Sequence, residues 1–158
     1  MRIVEATDED MDYVMSCIRD SIELSIEEGE RNLSDLWIST ILSISADSIS
    51  SRRMRDEVFV LKDSDSNYVG SLWLGVSADQ FTCEETGYLL GIFVEPSLRC
   101  KGIGAALLDF AERWCRDNGY MHLTLNVGWQ NESARRFYES HGYRTRSEVR
   151  RKELYPTL

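Results

Sequence analysis

The chain predicts an α/β fold, and three observations carry that prediction. Apolar residues at helical spacing alternate along the sequence with short β-patterned runs. One of those runs, Gly87-Tyr88-Leu89-Leu90-Gly91-Ile92-Phe93-Val94, is almost wholly apolar, as expected of a central strand buried on both faces. It leads through a glycine-containing turn straight into a strongly patterned helix. The predicted order is β-α-α-β-β-β-α-β-α-β, with no internal repeat and no domain boundary, so that residues 1–158 form one domain.

Arg2 to Ala6 is a short strand candidate. Thr7-Asp8-Glu9-Asp10 then has the chemistry of a helix start: a capping hydroxyl followed by acids that suit the positive end of the helix dipole. Met11, Val14, Met15, Ile18, Ile22 and Ile26 repeat at helical spacing, and Gly29 is a stop. Ser34 can cap a second helix with Leu36, Trp37, Ile41, Leu42 and Ile44 as its stripe. Val58–Leu61 and Val69–Val76 flank the turn cluster Asp63-Ser64-Asp65-Ser66-Asn67 and read as a hairpin. Gly91 interrupts the central strand and signals a bulge or a close backbone approach. Ile103, Leu107, Phe110 and Trp114 define the next helix, which ends at Asn118-Gly119. Met121–Val127 is another strand, a helix runs from about Asn131 to Ser140, and Tyr143–Leu154 is a last strand whose Arg150-Arg151-Lys152 cluster suggests an exposed edge.

Composition excludes several classes. With 42% hydrophobic and 28% charged residues the chain has the balance of a globular protein rather than a disordered one. No apolar run reaches the roughly 18–20 residues of a membrane-spanning helix, and the acidic start Met1–Asp10 lacks an apolar leader, so the expectation is a cytoplasmic protein without a membrane partner. Cys17, Cys83, Cys100 and Cys115 form no Cys-x-x-Cys pair, and the two histidines, His122 and His141, sit near no cysteine cluster, which argues against a metal. The net charge of −9 is unevenly spread. Residues 1–57 hold 14 acidic and 6 basic side chains, whereas residues 99–158 hold 7 and 11. A basic C-terminal part suits a polyanionic ligand and an acidic N-terminal part a cationic one, while the overall balance disfavours nucleic acid.

The most informative stretch is Glu95-Pro96-Ser97-Leu98-Arg99-Cys100-Lys101-Gly102-Ile103-Gly104-Ala105. The first amides of a helix have no intrahelical acceptor and carry the positive end of the dipole. Glycines at spacing two let that backbone approach a phosphate, and Arg99 and Lys101 add charge. The dinucleotide fingerprint fails because Leu107 stands where a third small residue is needed, and the P-loop fails for want of Lys-Ser or Lys-Thr after the glycine. Alone, a Gly-x-Gly is equally the mark of a glycine-rich turn with no ligand.

Arg99-Cys100-Lys101-Gly102-Ile103-Gly104 resembles the Arg/Gln-x-x-Gly-x-Gly/Ala signature of the GNAT acetyltransferases. The preceding Gly91-Ile92-Phe93-Val94-Glu95-Pro96 is similar to that family's central strand and its exit. Downstream, Asn131-Glu132-Ser133-Ala134-Arg135-Arg136-Phe137-Tyr138-Glu139 and then His141-Gly142-Tyr143 resemble its second signature. The match runs from about Gly87 to Tyr143. The resemblance implies a mixed, mostly antiparallel twisted sheet flanked by helices, with a central parallel strand pair splayed for acyl-coenzyme A. It implies acetyl-coenzyme A as cosubstrate, no metal, and direct attack by a primary amine in a ternary complex. The amides of Arg99, Cys100, Lys101, Gly102, Ile103, Gly104 and Ala105 would cradle the pyrophosphate. Ile92, Phe93 and Val94 would pair with the pantetheine arm, and a bulge at Gly91-Ile92 would aim an amide at the thioester carbonyl. Asn131, Ala134 and Phe137 would line the cofactor, and Tyr138 would protonate the departing thiolate.

The base is not specified by the resemblance. Glu84 and Glu85 precede the central strand, an acid from Ser21–Glu30 is a second source, and water a third. Cys100 has no part in direct transfer, although a thiol near a helix N-terminus is a candidate for redox sensitivity. Glu23, Glu27, Glu28, Glu30 and Asp35 suit a small cationic acceptor such as a polyamine or aminoglycoside. Acetylation of a protein N-terminus or lysine is the alternative, weakened by Leu125-Asn126-Val127-Gly128, which departs from the Leu-Glu-Val-Arg of ribosomal-protein acetyltransferases in this superfamily. A non-catalytic acyl-coenzyme A binding module is the third reading. A homodimer is open, with the C-terminal strand as its edge.

Overall fold

Alternation along the strands sorts their side chains into two faces, and each face has its own cover. The computed structural model describes residues 1–26, 39, 43, 56–152 and 154. Its sheet has five strands in the order β1-β2-β3-β4-β5: β1 Arg2–Glu5, β2 Glu57–Lys62, β3 Tyr68–Ala78, β4 Glu85–Val94 and β5 Leu123–Leu125. The first three pairings are antiparallel and β4–β5 is parallel. Three α-helices are described: α1 Met11–Glu23, α2 Ile103–Asp117 and α3 Glu132–Ser140.

Phe59, Leu61, Leu72, Leu74 and Leu89 meet Ile103, Leu107, Leu108, Ala111 and Trp114 of α2 in the larger apolar cluster. Val58, Val60 and Trp73, which alternate with those strand residues, meet Val14 of α1 on the other side. The sheet is therefore sandwiched between α2 and α1. Leu72, Leu74 and Leu107 are fully buried, and truncating any one to Ala would cost roughly 2–5 kcal/mol.

The α1 face also holds a polar knot. Asp10, only 3% exposed, accepts hydrogen bonds from the Thr7 amide and hydroxyl, from Lys62 Nζ at 2.6 Å and from the Tyr68 hydroxyl at 2.7 Å. Burial pushes its carboxyl up, but these donors outweigh burial and hold it well below the usual carboxylate range. The predicted start of α1 at Thr7–Asp10 thus takes the form of a capping box on a short 3₁₀ turn.

Three expectations are corrected. Met121–Val127 pairs only over Leu123–Leu125. The bulge falls one residue before Gly91-Ile92: Leu74 pairs with Leu89 and Trp73 with Gly91, leaving Leu90 as the extra residue. Tyr143–Leu154 forms no strand among its described residues. Val149, with no apolar neighbour in the basic run, is completely exposed, so this segment buries no face that would hold it on a sheet. Tyr143 instead closes α3: its amide donates to the Tyr138 carbonyl and that of Gly142 to Glu139, a Schellman cap that needs the left-handed φ of +85° at Gly142. The predicted second helix from Ser34, its stop signal Gly29, and the acids Glu27, Glu28, Glu30 and Asp35 lie outside the described residues.

Candidate active site

The parallel pair β4–β5 is short. Gly87, Tyr88 and Leu89 pair with Leu123, Thr124 and Leu125, and pairing ends there while β4 continues to Val94. Tyr88 marks the fork, its hydroxyl accepting a 2.7 Å hydrogen bond from Asn126 Nδ2. Beyond it, the edge of β4 from Leu90 to Val94 has no strand partner on the β5 side among the described residues. This stretch carries Ile92, Phe93 and Val94, the residues expected to meet an extended ligand arm, and an unpaired edge is what strand-like pairing with such an arm requires.

Val94 leads through the 3₁₀ turn Pro96–Leu98 to the start of α2. Gly102 is its N-cap with φ +79°, and Cys100 also adopts a left-handed φ of +59°. No side chain caps the helix, and the Ala106 amide makes the first helical hydrogen bond, to Gly102 O at 3.1 Å. The amides of Ile103, Gly104 and Ala105 therefore converge at an uncapped N-terminus. Arg99 Nε donates to the Val94 carbonyl at 3.0 Å and its guanidinium lies over the Phe93 ring. Lys101 Nζ donates to the Ser97 carbonyl at 3.2 Å. Neutral carbonyls leave both positive charges uncompensated, so the loop fits a polyanion on the chemistry of its donors.

The second motif packs against the first. Asn131 caps α3 by accepting from the Ala134 amide at 3.1 Å, so its carbonyl oxygen is already committed to the helix. A Cβ on Gly104 would sit 3.4 Å from the Phe137 ring and 4.0 Å from Val94. The uncapped helix end, the free edge of β4 and the Phe137 face are thereby brought together. Ala134 and Phe137 join the same apolar cluster, half-buried.

Tyr138 is buried and stands edge-on to Phe137, with ring centroids 5.3 Å apart. Among the described residues nothing hydrogen-bonds its hydroxyl, and the oxygen is not sealed from solvent. Burial pushes the phenol up to about 12, so it carries its proton at neutral pH.

The expected bases that fall among the described residues are not brought to this place. Glu84 and Glu85 are exposed at the opposite end of β4, and Glu85 lies about 16 Å along the strand from Leu90 at roughly 3.3 Å per residue. Glu23 is exposed on α1. The far end of that helix does reach the fork region: Ser25 lies so close to Gly128 that a Cβ there would come within 2.9 Å of it. One carboxylate that sequence reasoning passed over does lie here. Both oxygens of Asp56 are buried without a hydrogen bond, beside Gly75 and the bulged Leu90. No pattern in the sequence marks it, since Asp56 sits between a polar stretch and a strand. Among the described residues no group of three His, Cys, Asp or Glu could hold a metal ion, and no helix is long and apolar enough to cross a membrane.

The parallel pair thus splays with an uncapped helix start flanked by basic side chains at its mouth and a protonated phenol beside it. The sequence model of the acetyltransferase (GNAT) family matches residues 24–143, and the chain belongs to that family. It is 30% identical over 88 residues to an uncharacterised N-acetyltransferase, YhfO, of Bacillus subtilis, a match covering 56% of this chain and 59% of the relative's length. A Pyrococcus furiosus protein proposed to be an acetyl transferase superimposes with a TM-score of 0.76 at 25% identity, covering 97% of this chain and 99% of that one. The aminoglycoside 6′-N-acetyltransferase AAC(6′)-Ig of Acinetobacter haemolyticus shares the fold, with a TM-score of 0.67 at 18% identity over 99% of this chain and 100% of that one.

Proposed function

We propose that the protein transfers an acetyl group from acetyl-coenzyme A to a primary amine on a small cationic molecule. The observation that carries this reading is the coincidence of three features at one strand end: the free edge of β4, the uncapped start of α2 and the neutral, unpartnered Tyr138 hydroxyl. Arg99 to Ala105 would hold the pyrophosphate, with Arg99 and Lys101 adding charge. Ile92, Phe93 and Val94 would pair with the pantetheine arm. Ala134, Phe137 and the free amide group of Asn131 would border it.

Acetyl-coenzyme A supplies an acetyl carbon activated as a thioester. The amine nitrogen forms the new C–N bond there as the C–S bond breaks. The Tyr138 hydroxyl gives its proton to the departing sulfur and regains one from the nitrogen of the new amide. A phenol held near 12 stays protonated until that moment, which suits a general acid facing a thiolate. The acid-rich segment before β2 favours a cationic acceptor.

The test is a screen of spermidine, tyramine, tobramycin and an Nα-blocked lysine, with thiol release followed against acetyl-coenzyme A hydrolysis. Amine-dependent release with a small amine supports the reading. Turnover of the blocked lysine alone would move the assignment to protein acetylation. Tight binding of acetyl-coenzyme A with no release for any amine would mark a binding module.

A further inference from the structure

The reaction above needs a group to deprotonate the acceptor, because an alkylammonium has a pKa of about 10.4 and cannot attack while protonated. On the α1 face of the sheet, Gly75 is paired with Tyr88 of β4. A Cβ built on Gly75 would lie 2.4 Å from Asp56 Oδ1 and 2.9 Å from Leu90 Cδ1. Carboxylate and bulge side chain therefore crowd over one point, and that point is glycine because nothing larger fits. Leu90 is the first residue of β4 beyond the fork and is 36% exposed, which sets Asp56 one side chain from solvent where β4 and β5 part.

Asp56 is unlike the other buried carboxylate. Asp10 has four donors, whereas Asp56 has none on either oxygen. The Trp73 indole N–H, itself without a hydrogen bond, lowers the carboxyl but only partly offsets the upward push of burial. An unpaired buried carboxylate is costly and is relieved by a cation or a proton. Among the described residues no cation is placed to do this.

We propose that Asp56 is the catalytic base: it receives the ammonium of the acceptor and takes one of its protons. An N–H bond breaks, an O–H bond forms on the carboxyl, and the neutral amine is left beside the fork with its lone pair free. The inference rests on the amine-acetylation reading and names the residue that reading lacks. Of the titratable groups on this face, Lys62 and Tyr68 are bonded to Asp10, and burial raises Tyr88 and, on α1, Tyr13 and Cys17, keeping these three protonated at neutral pH. Glu95 is engaged by the Tyr13 hydroxyl at 2.9 Å.

The experiment compares the intact protein with Asp56→Asn and Asp56→Ala, using spermidine or whichever panel amine turns over fastest. Both variants should bind acetyl-coenzyme A normally by calorimetry and melt no lower than the parent, since an unpartnered charge has been removed. Transfer at pH 7 should fall about 100-fold or more. The deficit should shrink toward pH 10, where the amine is increasingly free, and formate should restore part of the Asp56→Ala rate. Transfer within threefold of the parent, a deficit independent of pH and of formate, or a loss of melting temperature would each overturn the assignment, the last by marking a structural carboxylate. If the parent itself acetylates no amine, the parent reading fails instead of this one.

Discussion

The two faces of the sheet solve opposite problems. Toward α2 the interface is almost purely apolar: Leu72, Leu74, Leu107 and Leu108 are buried without a polar atom to satisfy. Toward α1 the buried polar side chains accumulate, with Asp10 bonded on every side and Asp56 on none. The apolar face acts as a rigid frame, fixing the start of α2 and the ring of Tyr138 against β4. The polar face carries charge into the interior, where it is either locked into structure or left available for chemistry. In the proposed reading, cofactor binding belongs to the edge of the first face, and acceptor chemistry to the second.

The sharpest way to break this division is Tyr138→Phe. Among the described residues the hydroxyl has no hydrogen-bond partner, so its loss should leave stability and acetyl-coenzyme A affinity nearly unchanged while turnover falls about 10²–10⁴-fold. Unchanged turnover would remove Tyr138 from the chemistry. The same variant tests the linkage. Because burial raises the phenol from about 10 to about 12, its contribution to stability is complete below pH 10 and lost as pH rises toward 12. Alkaline melts of the Phe variant should lack that part of the loss.

Asp10→Ala probes the polar face where it is purely structural. It should cost about 2–3 kcal/mol, toward the low end for a broken buried pair because Lys62 reaches solvent, with cofactor affinity intact. Since the Asp10 carboxyl is depressed, its contribution is present above about pH 4 and lost as pH falls further, so the gap between variant and parent should close in acid. Asn131→Ala removes the cap of α3 and should cost about 1 kcal/mol in a denaturant melt. A much larger loss of acetyl-coenzyme A affinity than of stability would show that Asn131 also touches the cofactor. The smallest effect is expected from Cys100→Gly. Relief of the left-handed φ and the added freedom of the unfolded chain oppose each other, leaving stability within about 1 kcal/mol of the parent.

The elements around the mouth of the fork are largely legible in the sequence because their signals are local. The central strand, the uncapped glycine turn and the helix with Asn131 at its head are each written in a few adjacent residues, and the apolar run Gly87–Val94 starts within two residues of the observed β4. The bulge was displaced by one because Gly91 announces an irregularity without saying which neighbour absorbs it. The final strand failed for a physical reason: Arg144 to Lys152 has β-compatible residues but no apolar face to bury. The surroundings of Asp56 are illegible in the sequence because their key relation is long-range. Asp56 meets Gly75 and Leu90 only once three strands are in register, and no spacing in the chain foretells that.

The most direct test of the central claim is a calorimetric titration of acetyl-coenzyme A into the protein and into a Gly102→Glu, Gly104→Glu double variant. Two carboxylates at the start of α2 should repel the pyrophosphate, and one of them would project between Phe137 and Val94. The account predicts micromolar binding by the parent and a loss of at least about 100-fold in the folded variant, the equivalent of about 2.8 kcal/mol. No binding by the folded parent, or equal binding by both proteins, would contradict it.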